Sequence, residues 1–330
     1  VWKKLKSLET KMKLNRRTFG ALSIASCIGV TNTIYAQSMP VRLLVPFAPG
    51  GAVDQTARII SNALGEKLGQ PIVVENRPGA GGSLAAAELV RAKPDGTTLM
   101  LALDTQAGNH QTIKGLRYDT FKSFDYLNLL VTTPQILVVR HDLPVKNFEG
   151  LIAYLKAHPG ATYGTSGIAS AGHVNSAQMA LARQLKTTHV PYKGAAPMIV
   201  DLLGGHIDFA FAGVSVLLQH IQSGKVRAIA VGSSKRSALL PDIPTLSEFI
   251  PGLEYPTWVG LAAPIGMPSD VRSKIIKATQ EVLRDPDIVK RFSENAFDVV
   301  NSTPEVFTAR LKKDSNILGE LIRQKVVSID

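Results

Sequence analysis

Two loops rich in glycine and serine carry most of the polar chemistry in this sequence. The first, Pro46-Phe-Ala-Pro-Gly-Gly-Ala-Val-Asp54, closes an apolar run and opens an amphipathic one. Backbone N–H groups at Gly50, Gly51 and Ala52 should therefore face outward at a helix start, a nest that binds carboxylate or phosphate. Asp54 there suits either a first-turn partner of the helix dipole or a ligand contact. The second loop, Thr165-Ser-Gly-Ile-Ala-Ser-Ala-Gly172, offers the hydroxyls of Ser166 and Ser170 and the backbone donors of Gly167 and Gly172 at another helix start. Neutral donors of this kind suit a carboxylate guest. Neither serine sits in Gly-x-Ser-x-Gly, the strained turn that exposes a hydrolase nucleophile. The proximity of His173 nevertheless keeps an exported serine hydrolase, using Ser166 or Ser170, as the alternative reading. Gly79-Ala-Gly-Gly-Ser-Leu84 lacks the third glycine of a dinucleotide loop. The seven histidines form no His-x-x-x-His or His-Glu-x-x-His pair, and one cysteine cannot build a disulfide framework or a multi-thiolate site. No cofactor and no metal is expected.

The elements around these loops alternate. Val41–Pro46 reads as a buried strand, and Val53, Ala57, Ile60, Leu64 and Leu68 recur at helical spacing up to Gly69. A strand at 71–75, a helix at 83–92 and a strand at 97–102 repeat the unit, which predicts a parallel sheet covered on both faces. From Ile136 a second series begins: strand 136–140, helix 148–157, strand 161–164, helix 173–185, strand 189–192, helix 198–203, and strands 207–211 and 227–231. The apolar run Trp258–Ala263 crosses back, and the tail is helical. The prediction is an α/β chain of two doubly wound lobes joined by two crossing segments, with the ligand cleft between them. Residues 37–135 plus 264–330 form one lobe and 136–263 the other. Val45-Pro46-Phe47 is echoed by Val190-Pro191-Tyr192, which means either two similar lobes or only two similar turns.

The chain has 330 residues and a formal charge of +11, but seven of its 37 basic residues and only one of its 26 acidic ones fall in residues 1–36. The remainder is close to balanced, aromatics are 6% of the chain, and no nucleic-acid partner is expected. Residues 1–36 read as an export signal: Arg16-Arg17 precedes an apolar stretch to Val30, too short to span a bilayer, and Ile34-Tyr35-Ala36 suits cleavage. Met12 is a plausible start for it. The arginine pair fits a twin-arginine or a general secretory signal, and Cys27 lies in a weak lipoprotein box. Release into the periplasm as a soluble, monomeric protein is the expectation.

Ordered blocks along nearly the whole mature chain resemble the substrate-receptor family of tripartite tricarboxylate transporters, the Bug-type periplasmic binding proteins. They include Val45-Pro-Phe-Ala-Pro-Gly-Gly-Ala-Val-Asp-Gln-Thr-Ala-Arg58, Glu75-Asn-Arg-Pro-Gly-Ala-Gly-Gly82, Tyr163-Gly-Thr-Ser-Gly167, Val190-Pro-Tyr-Lys-Gly194 and Asp201-Leu-Leu-Gly-Gly205. The resemblance implies a periplasmic binding protein-like fold, closing on a small organic carboxylate and delivering it to membrane transporter subunits or presenting it to a sensor. It also implies that Phe47, Ala48, Gly50, Gly51 and Asp54 face Ser166, Gly167, Ser170 and Ala171, with Thr105 and Asn109 at the cleft edge.

Overall fold

The computed structural model describes residues 39–233 and 235–327, so the export signal, with Arg16, Arg17 and Cys27, lies outside the described residues. Along the chain run β1 (Val41–Val45), α1 (Ala52–Leu68), β2 (Ile72–Asn76), α2 (Ser83–Arg91), β3 (Thr98–Leu103), the single turn α3 (Asn109–Thr112) and β4 (Phe124–Thr133). The second series is β5 (Gln135–Arg140), α4 (Phe148–Ala157), β6 (Thr162–Thr165), α5 (Ala171–Arg183), β7 (Thr188–Pro191), α6 (Ala195–Leu203), β8 (Phe209–Gly213), α7 (Val214–Gln222) and β9 (Val226–Gly232). The chain ends with β10 (Thr257–Pro264), α8 (Ser269–Val282), α9 (Pro286–Glu294), β11 (Asp298–Val299) and α10 (Pro304–Arg323).

Two sheets core two lobes: one six-stranded, in the order β11-β4-β10-β3-β1-β2, the other five-stranded, in the order β7-β6-β8-β5-β9. The sequence predicted parallel sheets, and both are mixed. Strands β1, β2 and β3 are parallel, but β10 runs antiparallel to β3 and β4, and β5 runs antiparallel to β8 and β9. The reason is the route of the chain, since the strands that cross between lobes enter the sheets from the opposite end. β10 lies wholly in the six-stranded sheet from Thr257 onward, so the second crossing precedes Thr257 and does not fall at 263/264. The first crossing is one residue, Pro134, between β4 and β5.

Local sequence explains the elements that hold the loops. In α1, Val53, Ala57, Ile60, Leu64 and Leu68 are buried against the first sheet, each larger side chain stabilising the packing by about 1.5–3 kcal/mol. The helix stops at Gly69, which takes the left-handed conformation at φ 72° and returns its N–H to Glu66 and Gly65 carbonyls. At the centre of the sheet, Gly260 in β10 lies against the tip of the Phe307 ring from α10, where no side chain fits. Trp258 beside it is fully buried, its indole N–H donating to Asp314 Oδ2 at 2.6 Å. No helix among the described residues is long and apolar enough to cross a membrane.

Candidate functional site

Where the lobes meet, three helices point their N-terminal ends at one small cavity of about 30 Å³. Its wall takes Gly51, Ala52 and Val53 from the start of α1, Gly194 and Ala195 from the start of α6, and Gly213 and Val216 at the start of α7. Each of these helices has a glycine N-cap and no side-chain cap. The first amides of α7 are already engaged, Val214 N–H by the Pro134 carbonyl at 2.9 Å and Ser215 N–H by Thr133 Oγ1 at 3.4 Å. Those of α1 and α6 have no carbonyl a turn behind them, so their donors and the positive helix ends are available to an anion. No charged side chain lines the cavity.

The two helix starts belong to different lobes and nearly touch. A Cβ built on Gly50 would lie 3.8 Å from Ala196 Cβ, and one on Gly194 would lie 3.5 Å from the Ala48 nitrogen. A second space of about 230 Å³ adjoins, sharing Phe47 with the first and bordered by Gly81, Asn109, Gly167, Tyr192 and Lys193. Lys193 is its one charged lining residue. A larger depression of about 500 Å³ lies between α3 and α10, lined by His110, Lys312 and Arg323. Volume does not decide between them, because only the cleft brings uncapped helix starts from both lobes together.

Some of the sequence-predicted residues line the cleft, some hold it, and Asn109 does both. Phe47 and Gly51 line it from the first lobe, Ser166 and Gly167 from the second, and Ala48 abuts Gly194. Asp54 is a brace. Its carboxylate, behind the loop, accepts from Gly50 N–H at 3.0 Å, from Arg58 Nε and a second guanidinium nitrogen at 2.9 and 3.0 Å, and from Asn76 Nδ2 at 3.0 Å. Burial pushes its pKa up, but the Arg58, Gly50 and Asn76 hydrogen bonds outweigh that and hold it below the ordinary carboxylate value. Gly50 thereby spends its N–H on Asp54, so the donors facing the cavity begin at Gly51. Thr105 Oγ1 donates to the Gly81 carbonyl at 2.9 Å, and Asn109 Nδ2 reaches the same carbonyl at 3.3 Å and Tyr118 Oη at 3.0 Å. Together they set the glycine turn that follows β2.

Ser170 and Ala171 are fully buried. Ser170 is the N-cap of α5, its hydroxyl accepting His173 N–H at 3.4 Å. The contact is to the His173 backbone. The His173 ring instead takes the Ala169 N–H on Nδ1 at 3.2 Å and stacks on His189 with centroids 3.9 Å apart. Burial, with His189 beside it, drives the His173 pKa down to about 3, so it is a neutral packing group. The hydrolase alternative therefore has no serine–imidazole pair at Ser170.

The lining residues that were missed include Gly194, Ala195, Gln135 and Thr257. The echo of Val45-Pro46-Phe47 in Val190-Pro191-Tyr192 was the available signal for the first two, since each turn leads into one of the facing helices. Nothing local marks the others. Asp104, at the end of β3, is also buried here, with the Thr257 hydroxyl and the Ala171 N–H facing its carboxyl outside close hydrogen-bonding geometry. Burial pushes its pKa up to about 7 against those two groups; Asp314 adds to the rise and Arg310 opposes it.

Fold and site define a two-lobed solute receptor with backbone donors from both lobes facing the space between them. The model of the tripartite tricarboxylate transporter family receptor matches residues 56–326. A UPF0065 protein from the tcbD-tcbE intergenic region of Pseudomonas sp. strain P51 is 32% identical over 86% of this chain and 86% of its own. The structure of the periplasmic binding protein BugD is 34% identical, with TM-score 0.82 over 88% of this chain and 98% of BugD. MatC of Rhodopseudomonas palustris, solved with bound malate, is 29% identical, with TM-score 0.81 over 86% of this chain and 98% of that one. The chain belongs to the tripartite tricarboxylate transporter receptor family, whose members are solute-binding proteins and not enzymes.

Proposed function

We propose that this protein captures a small organic carboxylate in the periplasm, between its two lobes, and delivers it to the membrane subunits of a tripartite tricarboxylate transporter. The observation that carries the reading is the pair of uncapped helix starts, Gly51–Val53 of α1 and Gly194–Ala195 of α6, facing each other around an uncharged cavity. A carboxylate bridging them satisfies donors from both lobes at once, and only the closed state offers both. The guest therefore favours closure by its differential affinity. Lys193 in the adjoining space suits a second anionic group, and malate in MatC is a guest of that kind. The export signal of residues 1–36 supports the periplasmic setting.

Thermal unfolding of guest-stripped protein against mono-, di- and tricarboxylates, acidic amino acids and aromatic acids tests this. A guest at 100 times its dissociation constant adds about 2.7 kcal/mol, a rise of several degrees in the midpoint. A rise confined to carboxylates supports the reading, and no rise from any carboxylate contradicts it.

A further inference from the structure

Outside the cleft, positive charge gathers on two neighbouring segments. Residues 37–330 carry five more basic than acidic side chains, and four of that excess fall in the stretches 113–123 and 304–325. These are the loop between α3 and β4 and the helix α10, and they lie side by side, with Phe121 of the loop and Lys312 of the helix lining one depression. Lys114, Arg117, Lys122, Lys312 and Lys313 are exposed and make no ion pair among the described residues. Charge left unmatched within the chain raises the local potential and draws an acidic partner.

The depression itself, of about 500 Å³, has no carboxylate among its lining residues. His110 and Gln111 of α3 form one wall, and Lys312 and Arg323 of α10 the other. Arg323 is shared with Glu320 of its own helix, which leaves Lys312 as the unmatched cation of the wall. Gln111 Nε2 donates to the Ser315 carbonyl at 2.9 Å and fixes α3 on α10. A hollow of this shape receives a protruding segment of a protein, whereas a lipid surface is flat and meets what projects.

Both walls are tied to the state of the cleft. The single turn α3 faces two ways: Asn109, Thr112 and Ile113 border the 230 Å³ guest space, and His110 and Gln111 line the depression. Helix α10 meets both lobes, since Leu318 shares one apolar cluster with Ala169, Ala171 and Val174 of the second lobe. A Cβ added to Gly108 of the first lobe would collide with Leu318 and Ala169 together. A segment seated in the depression therefore touches two elements whose positions depend on whether the lobes are closed. Resting on the transporter-receptor reading above, we infer that the depression between α3 and α10 is the docking site for an acidic, protruding segment of the transporter's membrane subunits, engaged in the closed, guest-loaded state.

The test is binding of the receptor, loaded with the carboxylate that most raises its unfolding midpoint, to phosphatidylcholine proteoliposomes holding the membrane subunits. Binding should weaken on removal of the guest and on addition of salt. The double variant Lys312→Glu, Lys313→Glu should weaken it at least about tenfold, with guest affinity in titration calorimetry unchanged. Lys156→Glu, which reverses an exposed charge on α4, should bind as the parent does. Thermal unfolding checks each variant, and Lys312→Gln replaces a charge reversal that does not fold. Docking unchanged in the folded α10 variant, an equal loss in Lys156→Glu, or equal binding of the parent to phosphatidylglycerol vesicles without subunits overturns the inference and leaves carboxylate capture standing. A parent receptor that binds the carboxylate but not the subunit vesicles removes the delivery step, and this inference with it.

Discussion

Gly194 faces Ala48 across the cleft with φ at +132°, and a Cβ added to Gly194 would stand 3.5 Å from the Ala48 nitrogen. The backbone conformation favours glycine, and a Cβ would already stand in van der Waals contact with the opposite lobe, so the branches of a larger side chain would be added at that contact. Gly194→Val should therefore weaken binding of the preferred carboxylate at least about 100-fold, because the two helix starts no longer close on it. Its thermal midpoint without guest should drop by no more than the cost of one strained residue, about 1–3 kcal/mol. Titration calorimetry beside an unfolding curve separates the two effects.

Asp54 acts through the loop it ties to α1 and β2. Asp54→Ala removes the acceptor of Gly50, Arg58 and Asn76 at one stroke, and should cost about 1–3 kcal/mol of stability and about tenfold in carboxylate affinity. The sign of its pH dependence follows from the lowered native pKa. The stabilisation is fully present above the unfolded value near about 3.9 and is lost as pH falls through the lower native value. Acid unfolding of the parent protein and the variant should converge at the lowest pH.

Asp104 has the opposite linkage. Its native pKa of about 7 lies above the ordinary 3.8, so between those values the native state binds more protons than the unfolded one. Stability falls as pH rises through this window, and the full penalty stands above pH 7. Asp104→Asn should raise the thermal midpoint by several degrees at pH 8 and by little or nothing at pH 4, with a stability gain at pH 8 of about 2–4 kcal/mol. Equal effects at both pH values would contradict the assignment.

The parts of this fold that were legible in the sequence are those where neighbouring residues carry the whole signal. Helix α1 has its apolar stripe at Val53, Ala57, Ile60, Leu64 and Leu68 and its stop at Gly69. β4 is different: Asp125 and Asn128 interrupt its apolar run, and Asn128 is tolerated in the core because its amide donates to the Ser302 carbonyl at 2.7 Å, from a residue far along the chain. The antiparallel placement of β10 is equally distant information, set by a return from the second lobe. Within the site, the loop at Phe47–Gly51 was readable as a helix start rich in donors, and Ser166–Gly167 as part of a polar loop that leads into α5. The hydrogen bonds by which Asp54 and Thr105 hold the loops were not, since a buried polar residue near a loop reads the same whether it touches the guest or the loop, whereas Asn109 both holds the glycine turn and borders the adjoining space. Gln135 and Thr257 are 122 residues apart, and only the crossing of the two segments brings them together.

The central claim is that a carboxylate is held between the starts of α1 and α6. A crystal structure of the receptor with the guest that most raises its unfolding midpoint tests this most directly. The account predicts one carboxylate with an oxygen within hydrogen-bonding distance of a backbone nitrogen among Gly51–Val53 and another within reach of Ala195 or Ala196. A guest whose carboxylates meet only Lys193 or solvent, with those amides untouched, would contradict it.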